Sequence, residues 1–235
     1  MKEIEKMTAT LKTKKQDIVD AILMMERAQI IDFNGHFSAR VGDTENFMIN
    51  SAGSSRSSLT IEDIITIDLD GKLVEGNGPP PMEFHIHAEI YRRRPDVHAV
   101  AHTHPLWSTV LSIAGHKLRP VIMQAAVLGE ICSYPKISSI NTPALAREMA
   151  DALDHHRIVT LQSHGAVVAA EGILEAFVLA AYLEETAQRQ FLASQIGQPV
   201  VLTQAEIEVI GRNLWKPHLL QKVWDYHKGK MTAAR

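Results

Sequence analysis

The sequence HAVAHTHP contains two histidines separated by one residue, and histidine is the most common metal ligand among the side chains. Residues 99–102 have the small and β-branched side chains of a strand, and alternate side chains of a strand share a face. His102 and His104 are therefore expected to point the same way, with their rings close together. Two imidazoles in this arrangement form half of a metal site or are a structural coincidence.

Two further segments can complete such a site. His164 lies in QSHGAVV, between two apolar strands, where Gly165 allows a tight turn. Glu83 and His87 are four residues apart at the start of a predicted helix, so they share one face. Three imidazoles with an open fourth position are typical of a catalytic metal site, and the glutamate adds a fourth ligand or a general acid–base. Spacing alone also leaves a purely structural role open for these histidines.

The elements that must position these residues alternate between strands and helices. Apolar residues at helical spacing and Thr142 as an N-cap predict several of the helices, and the Asp70-Gly71 turn predicts a hairpin. Helices are predicted over 15–30, 82–94, 105–113, 141–154, 171–194 and 203–215, and strands within 47–53, 64–76, 99–104, 119–127 and 157–170. This order predicts one α/β domain over residues 1–235 with a central sheet, and residues 1–14 as a flexible lead-in.

Composition excludes several classes of protein. Of the 235 residues, 46% are hydrophobic, so a packed core can form, and the net charge of −3 argues against nucleic acid or an anionic membrane as a partner. No apolar run is long enough for a transmembrane helix, and the N-terminus is too polar for a signal peptide, so we expect a cytoplasmic protein. The single Cys132 permits no internal disulfide, and Glu130 beside it favours a plain thiol over a nucleophile.

The motifs NGHFSAR, NSAG, MEFHIHAEIYRRRPDVHAVAHTHP and SHGAVVA occur in an order that resembles the class II aldolase/adducin family, from about residue 15 to 200. The resemblance implies α/β/α layers around a mainly antiparallel sheet and a homotetramer with active sites near subunit contacts. It also implies a divalent metal held by His102, His104 and His164, usually zinc, with manganese, iron, cobalt and magnesium as alternatives. Glu83 matches the catalytic glutamate. Adducin head domains lack the full metal set, so its presence here indicates an enzyme.

The sequence departs from the sugar-phosphate aldolases of this family where they bind phosphate. Their Gly-Asn-x-Ser loop reads GHFS at 35–38, and their Ser-Ser-Glu motif reads PME at 81–83. Only the loop 51–53 keeps a donor, although a phosphate dianion needs several. Arg56 is a further candidate to bind a carboxylate or phosphate, or is a solvated loop residue.

The proton donor of those aldolases is also missing. They use a tyrosine after the His-x-His pair, and that position falls near Gln124, with no tyrosine between Tyr91 and Tyr134. Tyr226, near the C-terminus, is the candidate to reach the active site of a neighbouring subunit.

Both losses favour a different branch of the family, which decarboxylates hydroxylated aromatic acids or carboxylated muconic semialdehydes in aromatic catabolism. In this hypothesis the metal takes up the enolate charge, and Glu83, with a raised pKa, is the acid–base. His36 contacts the substrate carboxylate and His87 orients Glu83. The expected substrate-binding residues are His36, Ser51, Gly53, Arg56 and His87.

Two other functions remain open at this point. One is an aldolase or epimerase that acts on a sugar or sugar phosphate. The other is an adducin-like binding module or an iron-dependent oxygenase. The sequence does not name the exact small-molecule substrate.

Overall fold

The computed structural model describes residues 2–42 and 44–232, with side chains from residue 9 to 231. The helices are α1 (Lys2–Arg27), α2 (Phe84–Arg93), α3 (Leu106–Ile113), α4 (Pro143–Leu153), α5 (Ile173–Ser194), α6 (Gln204–Leu214) and α7 (Pro217–Thr232). The strands are β1 (His36–Arg40), β2 (Asn46–Asn50), β3 (Ile64–Asp68), β4 (Leu73–Glu75), β5 (Ala99–Thr103), β6 (Ile131–Tyr134), β7 (Ile158–Leu161) and β8 (Gly165–Ala170).

The strands of the described residues form one sheet in the order β4-β3-β2-β1-β5-β8-β7-β6. Every neighbouring pair is antiparallel except β6 and β7, which run parallel. Strands β1, β5 and β8 lie at the centre, so their side chains are covered on both faces. The prediction of a mainly antiparallel central sheet is confirmed.

The two faces of the sheet bury separate apolar clusters because successive side chains of each strand alternate. On β5, Ala99 and Ala101 belong to a cluster with the apolar residues of α1 and α5, such as Phe177. Val100 belongs to the opposite cluster, with residues of α2 and α4 such as Met149. The structure therefore has the α/β/α layers that the resemblance implies. His102, two residues after Val100, lies on the α2 face.

Several segments differ from the sequence-based expectation, and strands β1 and β6 were not predicted. Residues 119–127 form no strand but a 3-10 turn (Met123–Val127) against α6, where the lack of a side chain at Gly211 allows close approach to the Ala126 carbonyl. Helix α7 was not predicted, and it buries Leu220 and Trp224. Helix α1 extends back to Lys2, so the expected lead-in is helical from that residue. The flexibility of the lead-in and the single domain over 1–235 stay predictions.

No helix in the described part of the chain has both the length and the apolar character that a membrane span needs.

Candidate functional site

Four side chains converge at the end of β5. The ligand atoms of Glu83, His102, His104 and His164 all lie within 4.8 Å of one another. His102 is on β5, His104 follows that strand, His164 lies in the turn between β7 and β8, and Glu83 is the residue before α2. Pairing of β5 with β8 brings the histidines together. The sequence predicted this set, and its role as a metal site stays a prediction.

The nitrogen and oxygen donors of this cluster face one another at short range. The Nε2 atoms of His102 and His104 are 3.1 Å apart. A Glu83 carboxylate oxygen, Oε2, lies 3.3 Å from the Nε2 of His102 and 3.8 Å from the Nε2 of His164. The cluster is thus the size of the coordination shell of one ion.

The hydrogen bonds of the outer ring nitrogens test whether a cation fits. His102 Nδ1 is 3.2 Å from the Ala166 carbonyl oxygen, and His104 Nδ1 is 3.2 and 3.3 Å from the two Asp32 carboxylate oxygens. Both partners only accept, so Nδ1 carries the proton and Nε2 presents a lone pair. Two facing lone pairs at 3.1 Å repel each other unless a cation lies between them. Three imidazoles and a carboxylate suit zinc in particular.

The Glu83 carboxylate is held in its charged form. Its Oε1 accepts hydrogen bonds from Ser139 Oγ at 2.8 Å and from the Ile140 amide at 2.6 Å. Burial alone would raise the pKa of Glu83, but the hydrogen bonds from Ser139 and the Ile140 amide help to hold this pKa below its usual range. The expected raised pKa of Glu83 is therefore wrong for this arrangement. In this arrangement Glu83 is a carboxylate, which can coordinate a metal or accept a proton.

Burial favours the neutral form of three histidines at this site, which is the form that binds metals. Burial, followed by the nearby His102, lowers the pKa of His164 to about 4. Burial also lowers the pKa of His104, and it lowers the pKa of His36 well below the usual value. Protons therefore compete weakly for these ring nitrogens at neutral pH.

The turn that carries His164 depends on two residues in different ways. Ser163 has a φ of 54°, the left-handed conformation that the tight turn requires. Gly165 has no positive φ, but a Cβ there would lie 2.2 Å from the Thr103 carbonyl oxygen. Gly165 thus permits close approach of β8 to β5, and the positive φ that we expected for a tight turn belongs to Ser163.

A cavity of about 650 Å³ opens beside the cluster. Glu83, His104 and His164 line it together with His36 and Arg56. Its other walls combine polar residues with apolar ones: Asn34, Gly35, Ala52, Pro81, Met82, Ile137, Ser138, Ser139 and Ser163. Exposure of Met82 (73%) and Ile137 (71%) leaves apolar surface at the mouth of the cavity.

The predicted substrate-binding residues divide into two groups. His36 and Arg56 line the cavity, as expected, whereas Ser51 and Gly53 do not, although Ala52 between them does. His87 is fully buried, and it contacts His36 and Ser38 instead of hydrogen-bonding to Glu83. The structure thus places His87 behind His36, and the predicted roles of His87 toward the substrate and Glu83 stay predictions.

Two other candidate residues lie away from this cavity. Cys132 is half-buried on β6, and burial, followed by the charge of Glu130, raises the pKa of its thiol. Tyr226 lies on α7, 60% exposed, and lines a different cavity within this chain. Its role in the active site of a neighbouring subunit stays a prediction.

Three contributors to the site were not predicted from the sequence. Asp32 contacts His104, and Ser139 and the Ile140 amide hold Glu83. These contacts join residues 56 to 72 positions apart in the chain. No local sequence pattern signals them.

Comparisons with known proteins identify a family model and several relatives that this chain resembles. Residues 16–191 match the family model described as "Class II Aldolase and Adducin N-terminal domain". The chain is 30% identical to the 5-deoxy-D-ribulose 1-phosphate aldolase of Bacillus thuringiensis serovar kurstaki, over 64% of this chain and 71% of that protein. It is 31% identical to the 3,4-dihydroxyphthalate decarboxylase of Arthrobacter keyseri, over 65% of this chain and 66% of that protein.

Among solved structures, the L-fuculose 1-phosphate aldolase from Glaciozyma antarctica superposes with a TM-score of 0.84. The alignment covers 95% of this chain and 90% of that one, at 21% identity. At this identity the likeness establishes the fold.

Proposed function

This chain belongs to the class II aldolase and adducin family and is a metal-dependent lyase, and we propose that it decarboxylates a hydroxylated aromatic acid or a carboxylated muconic semialdehyde. The family and the four-residue cluster support a lyase that uses a divalent cation. The choice of a carboxylated, unphosphorylated substrate is our own inference. It depends on the composition of the cavity beside the cluster.

In this proposal His102, His104 and His164 hold the divalent cation, with zinc as the best match to three imidazoles. When bound, the cation polarises a carbonyl or phenolic oxygen of the substrate and stabilises negative charge there. Asp32 and the Ala166 carbonyl fix two of the rings with Nε2 inward. The ligands are thereby positioned before the metal binds, which reduces the cost of ordering them.

Glu83 moves the proton. As a carboxylate it accepts the proton of the substrate hydroxyl next to the bond that breaks. Glu83 delivers this proton to the carbon that bears the carboxylate, and the former hydroxyl becomes a carbonyl. The bond between that carbon and the carboxylate then breaks, CO₂ leaves, and the electron pair of the bond moves onto the carbonyl oxygen as an enolate or phenolate. The proton that Glu83 took up is thus returned to the substrate, and the reaction needs no other reactant. Ser139 and the Ile140 amide keep the carboxylate in place throughout.

The burial and hydrogen bonding of Arg56 are the observation that supports this choice of substrate. The side chain is 5% exposed, its Nε donates to the Gly35 carbonyl at 3.0 Å, and one terminal nitrogen donates to Ser54. The other terminal nitrogen has no hydrogen-bond partner among the described residues, and Arg56 lines the cavity. This remaining nitrogen can donate to a substrate carboxylate. Met82 and Ile137 offer apolar contact to a flat ring or an unsaturated chain.

A second candidate function is that of a sugar-phosphate aldolase. It is favoured by relatives named for fuculose and ribulose phosphates. The hydroxyl-bearing residues Ser138, Ser139 and Ser163 in the cavity wall also favour it, because hydroxyl groups can bind a sugar or a phosphate.

Assembly and location are further parts of the proposal. We place the enzyme in the cytoplasm as a homotetramer whose active sites lie near subunit contacts. Exposed Tyr226 on α7 is then available to a neighbouring subunit.

The test compares two products of the zinc-loaded enzyme. CO₂ release is measured with 3,4-dihydroxyphthalate and a carboxylated muconic semialdehyde, and aldehyde release is measured with fuculose and deoxyribulose phosphates. We expect CO₂ release, and we expect Arg56→Lys to raise KM for the carboxylate by about tenfold or more. Arg119→Lys, outside this cavity, is the matched control. Aldehyde release without CO₂ release would replace this proposal with the aldolase.

A further inference from the structure

A buried chain of hydrogen bonds leads away from the cavity behind His36. His36 Nδ1 lies 2.6 Å from His87 Nε2, His87 Nδ1 lies 2.6 Å from Ser38 Oγ, and Ser38 Oγ lies 2.7 Å from Tyr91 Oη. All four residues are at most 3% exposed. His36 and Ser38 alternate on one face of β1, and His87 and Tyr91 are four apart on α2. The strand and the helix thus build the chain together.

The far end of this chain is rigid. Arg40, on the same face of β1, lies over the Tyr91 ring at 4.7 Å and donates to the Tyr91 and Val97 carbonyl oxygens. The ring of Phe47 lies 5.2 Å from that of Tyr91. The tyrosine hydroxyl is therefore held at one position relative to Ser38.

Each imidazole of the chain carries one proton. Within residues 9–42 and 44–231 no carboxylate accepts a hydrogen bond from the His36 or His87 ring. An imidazolium at either position would be a buried cation without a hydrogen-bonded counter-ion, beside the Arg56 guanidinium and the proposed metal. The Glu83 carboxylate acts on His87 only at longer range. The N···N contact of 2.6 Å accordingly pairs one N–H with one lone pair.

The hydroxyl of Tyr91 sets the direction of the chain. In the described part of the protein its only side-chain partner is Ser38, so the tyrosine proton points to Ser38 Oγ. Ser38 must then donate to His87 Nδ1, and His87 Nε2–H must donate to His36 Nδ1. In the reverse direction the buried tyrosine O–H would have no acceptor, at a cost equal to that of an unmade hydrogen bond.

We propose that His36 presents a fixed Nε2–H to the cavity, as a hydrogen-bond donor to a substrate oxygen and not as an additional metal ligand. The Nε2 atom has no hydrogen-bond partner in the described residues, and His36 lines the cavity with its ring centre 5.0 Å from that of His102. A lone pair at this nitrogen would make a further ligand, whereas an N–H excludes coordination. His87, Ser38 and Tyr91 are positioning residues. The substrate contact rests on the proposed function, and the tautomer does not.

Long-range ¹H–¹⁵N correlation spectra of ¹⁵N-histidine-labelled protein test the tautomer directly, before and after zinc is added. The His36 signals are assigned by their loss in His36→Gln. We expect Nε2 to be the protonated nitrogen of His36 in both spectra. A protonated Nδ1 in the metal-free protein, or loss of the Nε2 proton when zinc binds, would overturn the proposal.

The Tyr91→Phe variant tests the direction of the chain. Without the tyrosine proton Ser38 can accept as well as donate, so we expect the His36 shifts to move toward the average of both tautomers. We also expect kcat to fall about tenfold at unchanged zinc content. Tyr134→Phe, which removes the hydroxyl of another buried tyrosine that bonds to Glu148, is the matched control. Unchanged His36 shifts in a folded Tyr91→Phe protein would contradict the relay.

These spectra need no substrate. Failure of CO₂ release with a correct His36 tautomer would therefore reject only the proposed function. A wrong tautomer with CO₂ release would reject only this inference.

Discussion

Replacing Asp32 with asparagine is expected to weaken zinc binding about tenfold, although Asp32 is not in the metal cluster. Its carboxylate oxygens lie 3.2 and 3.3 Å from His104 Nδ1 and fix that ring with Nε2 inward. Partners of this kind typically change metal affinity by about 10–100-fold. The Asp32 side chain is 44% exposed, and an asparagine oxygen can still accept the hydrogen bond. Solvent screening and the retained bond both favour the lower end of this range, about 1.4 kcal/mol.

The assay is competition for zinc with a chromophoric chelator at neutral pH. Asp151→Asn is the control, because Asp151 is likewise an exposed aspartate with a side-chain partner, Arg93, but lies outside the site. Equal zinc affinities of Asp32→Asn, Asp151→Asn and the unchanged protein would refute the claim that Asp32 orients a metal ligand.

Three further substitutions test other parts of the account. Glu83→Gln is expected to keep the zinc but to lower kcat by at least about a hundredfold, since an amide cannot carry the proton. Steady-state kinetics together with metal analysis checks this, and full activity would remove Glu83 from the mechanism. Gly165→Ala is expected to lower the free energy of unfolding by about 1–3 kcal/mol, because the new Cβ meets the Thr103 carbonyl; unchanged urea denaturation would contradict this. Glu184→Ala leaves two backbone amides at the start of α3 without their carboxylate acceptor. The free energy of unfolding, measured by urea denaturation, is expected to fall by about 2 kcal/mol, and a fall of less than about 0.5 kcal/mol would contradict this.

The layered fold was predictable because its signals are local. Alternation within the strands, the Asp70-Gly71 turn and the Thr142 and Thr203 N-caps all lie where the elements begin or end in the structure. The 3-10 turn at 123–127 and helix α7 were not predictable in this way. Both depend on packing against distant helices and carry no strong periodicity of their own.

The candidate site divides in the same way between local and distant contributions. His102, His104 and Glu83 stand out in the sequence because their spacing follows the strand and helix periods. The alternation of His36, Ser38 and Arg40 was a usable signal that β1 places them on one face. The connection of His36 and Ser38 to His87 was not predictable, because it depends on how α2 lies across β1. The same holds for the lowered pKa of Glu83, which follows from contacts with Ser139 and Ile140.

The most direct test of the central claim is elemental analysis of the purified protein together with His102→Ala. His116→Ala, at an exposed histidine outside the cluster, is the matched control. The account predicts about one divalent metal per chain in the unchanged protein and in the control, and loss of that metal and of lyase activity in His102→Ala. Equal metal content and activity in all three proteins, or no metal in any of them after reconstitution with zinc, would contradict it.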